Sequence, residues 1–233
     1  MDSKPQKRYR RTKADIAEDI RKAAIDQILK NGFSGSLVTE IIKKARIEPP
    51  VFYNRYKDLD EFFSELVKTC DYWLINIAND AAKYESTKKQ YIALLKGLID
   101  SLKEKSVMLE LLRWEVAEIN DTTRRTATIR EMFTTPLTEN YRKLFAHSGV
   151  DFVAISAIII GGIYYLSLHR EVATFCGIDV ATEEGCNRIS KAVETLTCIL
   201  FSYIEPRDTK EDIAQRMRDK GLDENTIKEC LGW

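Results

Sequence analysis

Between residues 14 and 70, apolar residues recur at helical spacing three times in close succession, and the third occurrence is opened by Glu48-Pro49-Pro50. No other feature restricts the fold as much. A residue before proline is pushed out of the α region. Proline itself is well tolerated in the first turn of a helix, where its missing N–H had no partner anyway. The chain must therefore break at Glu48 and can restart as a short helix at Pro49 or Pro50, expected to end near Tyr56 or Lys57. Upstream, Thr12 with Asp15 resembles a capping box. Ile16, Ile20, Ala23, Ala24 and Ile28 then mark one face of a first helix, which Asn31-Gly32 stops. Ser36 is placed to cap a second helix, about three turns long, with Val38, Ile41, Ile42 and Ala45 as its apolar stripe.

The same periodicity continues downstream. Asp58 or Asp60 is expected to cap a fourth helix that runs through Phe62, Phe63, Leu66, Trp73 and Ile77 to about Lys83. Further helices are expected around Tyr91–Leu102 and Met108–Val116. A long one lies between Thr122 and Ala146, with Pro136 expected to kink or split it. Two more are expected over about Asp151–Thr174 and Thr182–Ile204, followed by two short charged ones over Glu211–Lys220 and Glu224–Leu231. With only ten glycines and five prolines in 233 residues, the pattern predicts an all-α fold. Three units are expected: a basic arm with a three-helix block over residues 1–60, a larger helical body over 61–205, and a charged helical extension over 206–233.

Charge separates head from body. The net charge is zero, yet residues 1–57 hold 14 Lys and Arg against 7 Asp and Glu, and the remainder carries the matching negative excess. A basic head on an acidic body suits a head that meets a polyanion. Hydrophobic residues at 44% and charged residues at 31% fit a soluble globular chain. The five cysteines (Cys70, Cys176, Cys186, Cys198 and Cys230) form no Cys-x-x-Cys pair, and His147 and His169 lie in no ligand spacing. A reduced cytoplasmic setting without structural metal or cofactor is therefore expected. The polar, basic N-terminus lacks the apolar core of a signal peptide. Phe152–His169 is nearly uncharged and close to spanning length, but Ser156, Ser167, Gly161 and Gly162 dilute it, and a buried or interface helix is the expected reading. The sequence contains no glycine-rich phosphate loop, nucleophile elbow or metal cluster, so an enzyme is not expected.

The second and third helices, joined by Arg46-Ile47-Glu48, have the spacing of a helix-turn-helix, whose second member enters the DNA major groove. Phe52 and Tyr56 share a face (i, i+4) and are expected to anchor the short helix to the core. Tyr53, Asn54 and Lys57 fall mainly on other faces, with Arg55 beside them. Asn can bond adenine, Arg can bond guanine, and Tyr and Lys can hold phosphates.

These residues resemble the TetR family, the tetracycline-repressor-like one-component regulators. The resemblance runs through Ala23-Ala24, Ile28-Leu29, Gly32-Phe33, Val38, Ile41-Ile42, Ala45, Ile47, Val51-Phe52-Tyr53 and Tyr56, and the Glu48–Pro50 turn looks like that of the tetracycline repressors themselves. It implies an all-α homodimer with an N-terminal DNA-binding head and a larger body that binds a small effector and dimerises. The last two long helices of the body would form a four-helix interface with the partner subunit, and Gly161 and Gly162 would allow close contact there. A charge in place of Ile159 is then expected to give monomers or aggregates. Position by position, Ser36, Pro49, Pro50, Val51, Tyr53, Asn54, Arg55 and Lys57 fall where the family contacts DNA. Trp73, Trp114, Tyr141, Tyr165 and His169, with Tyr91, Phe133 and Tyr164, are candidates to line an effector cavity. Three positions depart from the pattern: Arg46 replaces a common glycine, Leu59 replaces a lysine that meets a phosphate, and Leu37 follows Ser36. Fewer phosphate contacts lower affinity and its salt slope.

The expected function is a cytoplasmic, dimeric transcriptional regulator, a repressor rather than an activator, on a near-palindromic double-stranded operator and under the control of a small molecule, with no membrane partner. The alternative is a helical ligand- or protein-binding module of the same fold with weakened or lost DNA recognition.

Overall fold

The first helix begins where its capping signal predicts. In a computed structural model of the chain, which describes residues 11–68, 73–103, 106–204 and 210–232, α1 spans Lys13–Asn31. The Thr12 hydroxyl accepts the Asp15 N–H at 3.1 Å, and the Asp15 carboxylate accepts the Thr12 N–H at 2.8 Å. Gly32 ends the helix at φ +74°, a left-handed geometry that glycine enters without a Cβ clash. The basic arm before Arg11 and Cys70 lie outside the described residues.

Two short helices complete the head: α2 over Val38–Ala45 and α3 over Pro49–Tyr53. Ser36 does not cap α2. Leu37 holds the cap position without a side-chain bond, while Ser36 is buried and its hydroxyl donates to the Gly32 carbonyl at 2.8 Å. A serine this close in sequence closes the turn behind it instead. The third helix is also shorter than its pattern suggests. After Tyr53 the Arg55 and Tyr56 N–H groups both point at the Phe52 carbonyl (2.9 and 3.1 Å), so the chain tightens into a turn. It has no room to extend, because Asp58 already caps the next helix by accepting the Glu61 N–H at 2.8 Å.

Arg46, between α2 and α3, sits at φ +54° and ψ +50°, a conformation that costs an L-residue with a side chain roughly 1–2 kcal/mol. The Arg11 guanidinium fastens the same corner. It donates to the Ala45 and Arg46 carbonyls and pairs with Asp19 of α1 at 3.0 Å. A cation at the last carbonyls of α2 also complements the helix dipole.

The body contains α4 over Leu59–Lys68, α5 over Trp73–Ala81, α6 over Thr87–Ser101, α7 over Val107–Ala117, α8 over Asp121–Leu144, α9 over Phe152–His169 and α10 over Glu183–Phe201, with α11 over Lys210–Asp219 and α12 over Glu224–Leu231 beyond it. Of the fourth helix expected to reach Lys83, Leu59–Lys68 and Trp73–Ala81 are helical, and residues 69–72 between them lie outside the described residues. Pro136 does not split α8, which runs through it as one element. Around the proline, the Thr134, Thr135 and Thr138 hydroxyls bond back to carbonyls of their own helix, adding side-chain bonds next to the N–H that proline lacks.

The head core is formed by Ile20, Ala24, Ile28, Ile41 and Phe52, all fully or almost fully buried. It joins the body where α1 meets α7 and α4 meets α8. In the body α6 packs on α5, α9 and α10, while α7, α8 and α9 pack on one another. A largely buried bidentate pair links α7 to α8: Arg130 donates to both Glu115 oxygens at 2.7 and 2.8 Å, and the Thr126 hydroxyl adds a bond to Glu115. Helices α11 and α12 pack chiefly on each other, around Ala214 and Ile227. Arg46→Gly should relieve the strained corner and raise stability by up to about 1 kcal/mol. Arg46→Ala keeps the Cβ and should not. Chemical denaturation of both variants checks this, and equal stabilities would remove the strain account.

Candidate nucleic-acid interface

Helix α3 is two-sided. Phe52 is completely buried and meets Tyr56 at 5.3 Å and Phe62 at 5.8 Å between ring centroids, so the predicted anchor face is the one that packs inward. On the other side Pro49, Pro50 and Asn54 are exposed, and Tyr53 is 50% exposed. Lys57 is exposed just beyond, and Val51 is half-buried. Pro49, Pro50, Tyr53 and Asn54 share one exposed edge.

Two predicted contacts are turned away from that edge. Arg55 is half-buried and lies back along the protein, donating to the Val51 carbonyl at 2.9 Å and toward the Lys13 carbonyl at 3.5 Å. In this position it braces α3 against the start of α1. Ser36 is buried at the α1–α2 turn, as described above. Sequence spacing places a residue on a face of a helix, but it does not say whether nearby carbonyls will claim its side chain.

The head is held to the body by a cluster that spacing did not reveal. Phe33 stacks on Trp114 of α7 with centroids 4.7 Å apart and planes 3° from parallel, and Phe63 of α4 meets both edge-on at 5.1 and 5.9 Å. The Glu118 carboxylate spans the same junction. One oxygen accepts from the Ser34 hydroxyl in the head, and the other accepts from the Trp114 indole N–H at 2.9 Å. The Ser34 bond first, and the Trp114 bond second, hold this carboxyl below its ordinary pKa. Nearby, Arg125 of α8 donates to the Ser64 carbonyl of α4 at 2.7 Å.

Deeper in the body a small apolar cavity of about 100 Å³ lies among α5, α6, α8 and α9. Leu74, Ile77, Leu94, Leu95, Leu98, Phe152 and Ile160 supply most of its wall, with Tyr91, Tyr141 and Ser156 as polar members. Burial and the neighbouring Tyr91 push the Tyr141 hydroxyl up to about 12, so it stays protonated. Among the described residues, no group of three His, Cys, Asp or Glu side chains is placed to hold a metal.

Solved structures with this arrangement of helices are transcriptional regulators. The fatty acid degradation regulator FadR from Bacillus halodurans superposes with a TM-score of 0.61 at 14% identity, covering 82% of this chain and 96% of that one. FadR from Bacillus subtilis, solved in complex with stearoyl-CoA, gives 0.60 at 17% identity over 77% and 96%. A TetR-family regulator from Mesorhizobium loti gives 0.57 at 16% identity over 82% and 98%. The chain has the TetR fold. No family model and no curated protein matches the sequence.

Within the TetR fold of this chain, only one of the five main effector candidates lines the cavity, namely Tyr141, joined by Tyr91. Trp114 belongs to the head–body junction. Tyr165 and His169 stack on each other at 5.4 Å and pack edge-on against Phe175 at the outer end of α9, with Tyr165 half exposed. Trp73 packs against the core without lining the cavity, although its neighbour Leu74 does line it. Phe133 is 44% exposed on α8. Tyr164 is half-buried, close enough to Arg130 and Glu115 to feel their charges. Aromatic type alone does not distinguish a cavity wall from a domain junction or an outer face, because all three bury ring surface.

Trp114→Ala should destabilise the chain by roughly 3–5 kcal/mol, measured by denaturant unfolding. Because the folded pKa of Glu118 is depressed, its contribution is present above the unfolded glutamate pKa of about 4.3 and is lost as pH falls through the folded value. Acid titration of tryptophan fluorescence should report this loss, and Glu118→Gln should remove it. A transition that persists in the variant would belong to another carboxylate.

Proposed function

We propose that this chain is a soluble, cytoplasmic, dimeric one-component transcriptional regulator, most simply a repressor, which places two copies of α3 in successive major grooves of a near-palindromic operator. One observation carries the reading: α3 buries Phe52 completely while leaving Pro49, Pro50, Tyr53 and Asn54 exposed along a single edge. A short helix so divided is suited to reading base edges and holding phosphates. The likeness to FadR regulators and to a TetR-family regulator supports the same assignment.

An unpartnered apolar stripe supports the dimer. On α9, Val153, Ala154, Ala157, Ile158, Gly161, Gly162 and Tyr165 are exposed at helical spacing, and Ile158 is 74% exposed. A Cβ added at Gly161 or Gly162 would meet nothing within 4 Å, which leaves room for a partner helix to approach closely. Leu196 and Ile199 of α10, each about half exposed, continue the surface. Although α9 is long and apolar enough to cross a membrane, Phe152, Ser156, Ile163 and Ser167 are buried against the body. The apolar outer half then meets a second copy, and an isologous two-fold contact between such surfaces matches a two-fold operator. Binding of a small molecule in the body would alter the spacing of the heads by a coupling of about 1–3 kcal/mol.

The burial of Ser36 and the inward bonds of Arg55 favour a second reading, in which DNA recognition is weakened or lost and the chain acts as a binding module. Selection from a random duplex pool, followed by fluorescence anisotropy across a salt series, separates the two. A regulator enriches a near-palindromic site and loses affinity steeply with salt, whereas no binding at low salt supports the second reading. Replacing Tyr53 and Asn54 together with Ala should weaken binding at least roughly tenfold while leaving the dimer intact.

Ile158→Glu should yield folded monomers by analytical ultracentrifugation, and an unchanged dimer would move the interface elsewhere. Ile159, where a charge is expected from sequence to give monomers or aggregates, packs against the core instead. A charge there tests folding.

A further inference from the structure

Among the described residues, the walls of the body cavity carry no Asp, Glu, Lys, Arg or His. Most of the polar groups in those walls are already satisfied. The Tyr91 hydroxyl donates to Ser156 at 2.8 Å, and Thr134 and Thr138 bond back to α8 carbonyls. Tyr141 differs from them. It is 6% exposed and lines the cavity, and its hydroxyl has no hydrogen-bond partner among the described residues. A ligand atom that reaches this hydroxyl can supply the missing partner. The volume of about 100 Å³ is below the roughly 300 Å³ that a drug-sized ligand needs, so a larger occupant requires the walls to part. The wall nearest solvent is Leu137, 36% exposed. It directly follows Pro136, which cannot donate to the carbonyl of residue 132. Met132 and Phe133, 69% and 44% exposed, extend the apolar surface there.

Building on the reading of the body as the effector domain, we infer that this cavity takes an uncharged, mostly apolar molecule whose single polar group meets the Tyr141 hydroxyl, admitted past Leu137 where α8 lacks a backbone bond. Desolvating a carboxylate or phosphate in such walls, with no cation to pair it, would be strongly unfavourable. An acid or a thioester carrying phosphates is therefore excluded from the chamber, even where its hydrocarbon tail would fit.

The full chain, titrated with the neutral fluorophore N-phenyl-1-naphthylamine, should bind it, and 1-decanol should displace it. Decanoate, ionised at neutral pH but of equal chain length, should be at least roughly tenfold weaker, given the cost of an unpaired buried charge. Tyr141→Phe should weaken decanol roughly three- to tenfold, the value of one hydrogen bond, and leave displacement by an alkane of the same length unchanged. Leu98→Trp or Ile160→Trp, shown to be folded by circular dichroism, should abolish fluorophore binding by filling the space. Absence of fluorophore binding, equal displacement by decanoate and decanol, or unchanged binding in a folded filled variant would each overturn the inference. None of these measurements uses DNA, so a chain that fails to bind an operator can still pass them, and a chain that fails them can still bind one.

Discussion

The arrangement depends on a continuous run of aromatic rings from the exposed edge of α3 into the body. Tyr53 meets Phe52, Phe52 meets Phe62, Phe62 meets Phe63, and Phe63 meets both Phe33 and Trp114, each step between 5.1 and 5.9 Å. The stack of Phe33 on Trp114 closes the run against α7. Pairs in this range contribute about 0.5–1.5 kcal/mol beyond the area they bury. Because close-packed rings deform little, the orientation of α3 is tied to the position of α7. Glu118 and Arg125 add directional bonds to the same junction, the first from α1–α2 to α7 and the second from α4 to α8.

Helix α8 links this junction to the cavity. Its first turns carry Arg125, which holds α4, and Thr126 and Arg130, which lock onto Glu115 of α7. Its later turns carry Thr134, Leu137, Thr138 and Tyr141 of the cavity wall. Pro136 lies within that second stretch. The buried ion pair therefore fixes one part of the helix, while the other part contains the position where the backbone ladder lacks a donor. A largely buried, well-bonded charge pair is costly to disturb.

At the head, the protein itself occupies groups that were expected to serve DNA. Arg55 braces α1, Ser36 closes a turn, and Leu59, standing where a lysine was expected, packs half-buried against the core. Arg46 takes the left-handed corner and Arg11 fastens it. Together these make the three-helix head a firmly tied unit with a narrow exposed edge of Pro49, Pro50, Tyr53 and Asn54.

The sequence by itself determined the helical class, the cap at Thr12, a cap at Asp58 or Asp60, the restart at the double proline and the inward face of Phe52. Each of these follows from local rules: backbone sterics, a side-chain oxygen near orphan N–H groups, or a spacing of four on one helix. Tertiary structure alone decided which carbonyls Arg55 and Ser36 would bond, that α8 would continue through Pro136, and that Ile158 and not Ile159 would face outward. It also sorted the aromatic residues, placing Trp114 at a junction, Tyr141 in a cavity wall and Tyr165 on an outer face. The physical reason is common to all of these. They depend on which groups from distant segments arrive within a few ångströms, and a burial preference for rings or a donor count for arginine carries no information about that arrival.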